Sequence, residues 1–186
     1  MRSISIALRA SILLMILCGL VYPLATTGVA QVLFHKQAEG SLVSINGNIQ
    51  GSELLAQDFT DPGLFHQRAS AANYDPKASA GSNVAIASNK YMKEMTDNVN
   101  QIKKENENIG DTVPADLVTS SGSGFDPDLS PEAAKAQVPR IATAIGLSQN
   151  QLISLINKHT KGRALGIFGE PRVNVLELNM ALQQLK

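Results

Sequence analysis

The chain opens with one long apolar run and continues as a polar, turn-rich sequence broken by short apolar periodicities. From Ala10 to Leu33 it reads ASILLMILCGLVYPLATTGVAQVL, with no ionisable residue other than Cys18 and Tyr22. As a helix rising about 1.5 Å per residue, this run reaches roughly 35 Å, enough to cross the hydrocarbon of a bilayer with some tilt. The pattern therefore predicts a short terminus over residues 1–9, a membrane span over 10–34 and a single soluble domain over 35–186. A cleaved signal peptide is the rival, with Arg2 and Arg9 as its basic region and Gly28, Val29 and Ala30 as its small-residue cleavage site. The run is longer than a usual signal core and continues through residues 31–34, which favours an uncleaved anchor.

Past residue 34 the periods shorten. Residues 41–45 suit a strand, Asn46 and Gly47 form a hairpin signal, and Ile49 begins a return strand. Residues 61–83, DPGLFHQRASAANYDPKASAGSN, are dominated by turn formers, with Phe65 and Tyr74 to pin them down. An ordered loop of this length is usually functional or a linker. Ser88 caps a helix running to about Asn108, with Met92, Met95, Val99 and Ile102 as its apolar stripe. Lys93 with Asp97 and Lys103 with Glu107 have i, i+4 spacing on its other faces. Residues 113–119 read as a short, partly buried connection.

Ser130, Pro131 and Glu132 form a helix start, and Gly146 ends that helix after Ile145. Ser148 with Gln151 has capping-box spacing for a helix buried through Leu152, Leu155 and Ile156. Cations and Gly162 mark its end. A last helix starts at Asn174 and buries Val175, Leu178, Leu182 and Leu185. The fold class is α+β: one N-terminal transmembrane helix, then a mainly helical soluble domain with a small sheet.

Charge sets the topology. Arg2 and Arg9 flank one side of the span against Lys36 on the other, which places the amino terminus in the cytoplasm and residues 35–186 outside, in the periplasm of a bacterium. The only cysteine lies in the span, so the soluble part contains no disulfide. Sixteen basic and sixteen acidic residues give zero net charge, which argues against nucleic acid as a partner. Within the span, Gly19, Tyr22, Pro23, Thr27 and Gln31 are more than an isolated anchor needs, and they predict packing against another membrane protein.

No catalytic or metal-binding constellation emerges. His35, His66 and His159 are scattered, without the spacing of a metal site. The stretch SSGSGFDPDLSP, residues 120–131, offers Ser121, Gly122, Ser123, Gly124 and Asp126 as an anion nest or docking loop. It lacks the Lys of a phosphate loop and the spacing of a serine elbow, and Asp126 and Asp128 would repel phosphate. A compact turn and helix cap is the simpler account. In HTKGRALGIFGEPRVNV, residues 159–175, Arg163, Glu170 and Arg172 surround three glycines and suit either a docking face or a tight connection with Glu170 paired to an Arg.

Taken together, GLVYPLATTGVAQ (19–31), GSELLAQDF and FHQRASA (51–71), NYDP (73–76), GSN (81–83), PADLVTSSGSGFDPDLSP (114–131) and HTKGRALGIFGEPRVNVLELN (159–179) resemble the C subunit of the Kdp-type potassium-importing P-type ATPase. The resemblance covers nearly the whole chain. It implies a single-span, non-catalytic subunit of a potassium import complex in the bacterial inner membrane. Its partners would be a channel-like potassium-translocating subunit, an ATP-hydrolysing P-type subunit and a small one-span subunit. It adds His66, Arg68, Asn73, Tyr74, Ser82, Asn83 and His159 to Arg163, Glu170 and Arg172 as docking candidates. The family is described as a catalytic chaperone that raises the ATP affinity of the hydrolysing subunit, so ATP enters only by that implication, and the chain has no cofactor of its own. The family more often carries His at the position of Asp128 and Glu at that of Lys161. Direct ATP binding through the Gly/Ser loop, and a membrane-tethered hydrolase using Ser121 or Ser123, are the alternatives from other classes.

Overall fold

The computed structural model describes residues 2–45 and 47–185. The chain divides into two compact units, Met1–Ser52 and Glu53–Lys186.

The first unit is built on one continuous helix, Arg2–Leu33. It comprises α1 (Arg2–Ile16), a π-helical turn over Leu17–Val21 and α2 (Tyr22–Leu33). Pro23 has no N–H to return to the preceding turn and its ring crowds the carbonyl there. The wider turn just before it absorbs that conflict, with the Tyr22 N–H donating to Leu17 O. Two polar side chains of this helix find partners on the helix or just past its end. Thr26 Oγ1 donates to Tyr22 O at 2.9 Å, and the His35 ring meets Gln31 Oε1 at 3.2 Å. A one-turn helix, α3 (His35–Ala38), leads into an antiparallel hairpin of β1 (Leu42–Ile45) and β2 (Asn48–Ser52), bulged between Val43 and Ser44. Gly47 takes a left-handed φ of 81° in the turn; the other half of the expected turn signal, Asn46, lies outside the described residues.

The second unit carries the core. The long segment from Glu53 to Ser88 contains no helix or strand, yet Phe65 in its middle is fully buried. There follow α4 (Asn89–Glu105), α5 (Ala115–Val118), β3 (Asp128–Leu129), α6 (Pro131–Ala136), α7 (Val138–Ile145), α8 (Gln149–His159), β4 (Thr160–Lys161), β5 (Arg172–Asn174) and α9 (Val175–Gln183). The three short strands form an antiparallel sheet in the order β3-β5-β4. Leu129, Ile141, Leu152, Ile156, Val173, Leu178 and Leu182 close on Phe65 to form the core. Fold class α+β therefore holds, with one helix long and apolar enough to span a membrane.

Caps follow the sequence signals. Ser88, Ser130, Ser148 and Asn174 each accept a main-chain N–H from the first turn of the helix they open, and Ser148 with Gln151 completes a capping box. Several boundaries differ from expectation. The helix from Ser130 does not run unbroken to Ile145: it breaks at Gln137, because Pro139 cannot donate into the previous turn. Helix α4 stops at Glu105, so Glu107 lies off the helix and its spacing from Lys103 is not a helical pair. Residues 113–119 contain the helical turn α5. Gly162 is not a helix cap, since Thr160 turns extended and passes directly into β4. Leu185 is exposed, because α9 ends two residues before it.

Candidate functional site

Two segments distant in sequence, residues 66–83 and 120–128, fold against each other, and most of the candidate residues lie on them. Arg68 Nη1 donates to Asp126 Oδ2 at 2.9 Å, so these two candidates partner each other. Its other terminal nitrogen approaches Thr119 Oγ1 and Ser120 O at 3.4 Å. Ser70 Oγ is the hub of the first segment: it accepts the N–H groups of Ala72 and Tyr74 and donates to Gly124 O at 2.7 Å. Asn73 and Tyr74 both hold left-handed φ angles, 49° and 55°, and Tyr74 Oη donates to Arg68 O at 2.8 Å. Burial, then the nearby Asp58 carboxylate, push the Tyr74 phenol up to about 12.

The Gly/Ser loop is held largely by its own side chains. Ser121 Oγ accepts from the Gly124 N–H at 2.8 Å, Ser123 Oγ from the Phe125 N–H at 3.2 Å, and Asp126 Oδ1 from the Asp128 N–H at 3.1 Å. Ser79 Oγ donates to Ser123 O from the facing segment. Packing is close: a methyl added at Gly124, whose φ is 76°, would stand 2.8 Å from Ala72 Cβ. One added at Gly81 would stand 2.9 Å from Gly122 O. Ser82 and Asn83 are exposed at the end of the first segment, with Asn83 at a left-handed φ of 52°.

The segment after α8 is different in character. Every residue from 161 to 172 is exposed. Ala164 and Phe168 exchange main-chain hydrogen bonds at the neck of a tight loop, and Arg163 pairs with Glu170 at 3.1 Å across its base. Lys161 pairs with Glu177 at 3.0 Å. Arg172 pairs with Asp128 at 2.8 Å and so joins this segment to the end of the Gly/Ser loop. Burial raises the Asp128 carboxyl above its usual value, while Arg172 opposes that shift. At the tip, Leu165, Ile167 and Phe168 are 89%, 72% and 63% exposed. His159 sits half-exposed at the last position of α8.

The span candidates lie in the first unit and are described within it. Gly19 has no atom within 4 Å of where a Cβ would stand, and Tyr22 is exposed. Pro23 opens α2, and Gln31 is engaged with His35. Among the described residues no three His, Cys, Asp or Glu side chains cluster as a metal site requires.

Sequence reasoning passed over two buried amides that organise the site. Gln137 Oε1 accepts from the His66 N–H at 2.8 Å and its Nε2 donates to His66 O at 3.1 Å. Asn179 does the same for Phe65, at 2.8 and 2.9 Å. The signal was a polar residue on the apolar face of a helix: Asn179 lies among Val175, Leu178 and Leu182, and Gln137 one helical turn from Ala134 and Ile141.

The family model described as "K+-transporting ATPase, c chain", KdpC, matches residues 4–184. The chain is 46% identical to the potassium-transporting ATPase KdpC subunit of Caldanaerobacter subterraneus subsp. tengcongensis, over 94% of this chain and 91% of that one. It is 44% identical to the KdpC subunit of Rhodopseudomonas palustris strain BisB18 over the full length of both. Against the KdpC subunit of Bacillus cereus strain Q1 it is 46% identical, covering 96% and 93%.

Proposed function

The chain belongs to the KdpC family of K+-transporting ATPase c chains, and from that premise we propose that it is a non-catalytic subunit whose membrane helix and docking loops are required for the potassium import complex to assemble. The observation that carries this reading is the helix Arg2–Leu33, long and apolar enough to cross a membrane and without a buried residue along it. Thr26 is satisfied by main-chain carbonyls of the helix itself and Gln31 by the His35 ring just past its end, while Gly19 stands open for close approach by a neighbour. Gly19, Tyr22, Pro23, Thr27 and Gln31 are the residues proposed to meet another subunit in the bilayer.

The amino terminus is cytoplasmic in this reading and residues 35–186 are periplasmic, on the side of the inner membrane away from ATP. The partners are the channel-like potassium-translocating subunit, the ATP-hydrolysing subunit and the small one-span subunit. Any influence on ATP affinity then travels through the span, as a coupling between assembly and the conformation of the hydrolysing subunit. The engaged serine oxygens and main-chain N–H groups of residues 121–128 support a shaped turn over a phosphate cradle or a serine nucleophile.

Deleting this chain and purifying the remaining subunits tests the proposal. Loss of the intact complex and of potassium-stimulated ATP hydrolysis is expected; a transporting complex without the chain sinks it. A Ser123→Cys variant labelled by a membrane-impermeant thiol reagent, in cells with a permeabilised outer membrane, tests the compartment. Protection until lysis would return the Gly/Ser loop to the cytoplasm and to ATP.

A further inference from the structure

The second unit holds a cavity of about 430 Å³ between the segment 58–74 and the inner face of α4. Its walls combine apolar surface with side-chain acceptors, and the hydrogen bonds around it are lopsided. Five of the lining side chains already direct a donor to a protein acceptor. Arg140, the one Lys or Arg of the lining, spends its three nitrogens on Pro62 O, Asn106 Oδ1 and Gln137 Oε1. Asn98 Nδ2 donates to Val118 O, Gln101 Nε2 to Glu105 Oε1, Tyr74 Oη to Arg68 O and Gln67 Nε2 to Pro127 O.

The acceptors remain open. Gln67 is only 9% exposed, and its Oε1 has no hydrogen-bond partner among the described residues, although buried polar oxygens ordinarily find one. Asp58 makes no hydrogen bond or ion pair among the described residues, and the second oxygen of Glu105 has only the His66 ring, at 3.6 Å. A cavity whose amide, guanidinium and phenol groups already donate elsewhere, and in which two carboxylates and a buried amide oxygen stay open, is complementary to a ligand that brings N–H groups and positive charge. The acids do not converge with a third ligand as a metal ion would need. The apolar walls, Phe59, Ile102 and Leu117, suit methylene groups, and the volume far exceeds that of a bare ion.

We propose that this cavity binds an alkylammonium group, a protonated primary amine on an aliphatic chain, with its methylenes against Phe59, Ile102 and Leu117 and its N–H donors toward Asp58, Glu105 and Gln67. The same chemistry is supplied by a free aliphatic amine or by a lysine side chain of a partner subunit.

Calorimetric titration of the full chain in detergent with diaminobutane tests this, with butanediol as the uncharged control of the same length. Diaminobutane binds and butanediol does not. Asp58→Asn and Glu105→Gln each weaken binding about tenfold, the loss expected of one charge-assisted hydrogen bond. Both positions are exposed, so an unchanged melting temperature separates lost binding from lost folding. Equal binding of both compounds, binding indifferent to the two variants, or no binding to the full chain overturns the proposal. Repeating the titration on the assembled complex identifies the source. Retained binding marks the site as one for free amines; binding by the chain alone marks it as occupied by a partner's lysine in the complex.

Discussion

Asn179 on α9 and Phe65 in the long segment before α4 exchange two hydrogen bonds across 114 residues of sequence, at 2.8 Å to the Asn179 oxygen and 2.9 Å from its nitrogen. Gln137 repeats the arrangement on the next residue, His66. The two amides stand in for a neighbouring strand, satisfying both main-chain groups of two successive residues where no strand is present. This explains how a segment without helix or strand holds a fully buried Phe65 and carries the candidate residues that follow it.

Replacing Asn179 with Ala should therefore destabilise the chain strongly. It strands a buried N–H and a buried carbonyl on Phe65, each costing about 1–3 kcal/mol. Thermal unfolding of the purified chain should show a markedly lower midpoint for Asn179→Ala, and the same direction for Gln137→Ala. An unchanged midpoint would mean that the clasp carries no net stability.

The Gly/Ser loop gives a prediction that separates shape from ligand binding. At Gly124 the left-handed φ and a Cβ position 2.8 Å from Ala72 Cβ make Gly124→Ala costly, at about 1–3 kcal/mol. At Gly122 nothing lies within 4 Å of the same methyl, so Gly122→Ala should leave the melting temperature and assembly intact. A turn that serves packing predicts this asymmetry in both stability and complex yield. A phosphate cradle predicts that Gly122→Ala also impairs function.

What was legible in the sequence was local. The apolar run marked the helix Arg2–Leu33, long and apolar enough to cross a membrane, because length and hydropathy are both written locally. The caps at Ser88, Ser130, Ser148 and Asn174 were legible because an N-cap is written within four residues. The break at Gln137 was available in Pro139 but was masked by the stronger start at Ser130. Leu185 fits the helical period and is exposed because the helix has ended before it, a matter of length that periodicity does not encode. The site was legible as a set of segments and not as an arrangement. Nothing in FHQRASA or SSGSGFD states that Arg68 meets Asp126, or that Ser70 ties down Gly124, because those contacts are set by how the core folds.

Tyr74 yields a pH dependence. Its phenol is raised from 10.0 to about 12, by burial first and by Asp58 second. The folded chain therefore keeps a proton that the unfolded chain releases from about pH 10 upward. Stability tied to the neutral phenol is complete below that pH and is lost as pH rises toward 12. Melting temperatures measured across this alkaline range should fall for the native chain. In Tyr74→Phe, which also lacks the 2.8 Å bond to Arg68 O, they should start lower and fall less steeply. Parallel curves for the two proteins would exclude Tyr74 as the source.

The loop tip at residues 164–168 offers the sharpest separation of stability from assembly. Leu165, Ile167 and Phe168 are exposed on a turn fixed by the Ala164 and Phe168 main chain and by the Arg163–Glu170 pair, so the tip is preformed and contributes little to the core. Lys161, Arg163 and Arg172 are each neutralised by an acid of the same chain, which leaves apolar surface as what the tip presents. Under the proposed docking role, changing all three apolar residues to Ser should shift the chain's own stability by no more than about 0.5 kcal/mol per site. It should nevertheless reduce co-purification of the other subunits several-fold. Wild-type yields of the complex would remove this loop from the interface, whereas a large drop in melting temperature would place these side chains in the fold instead.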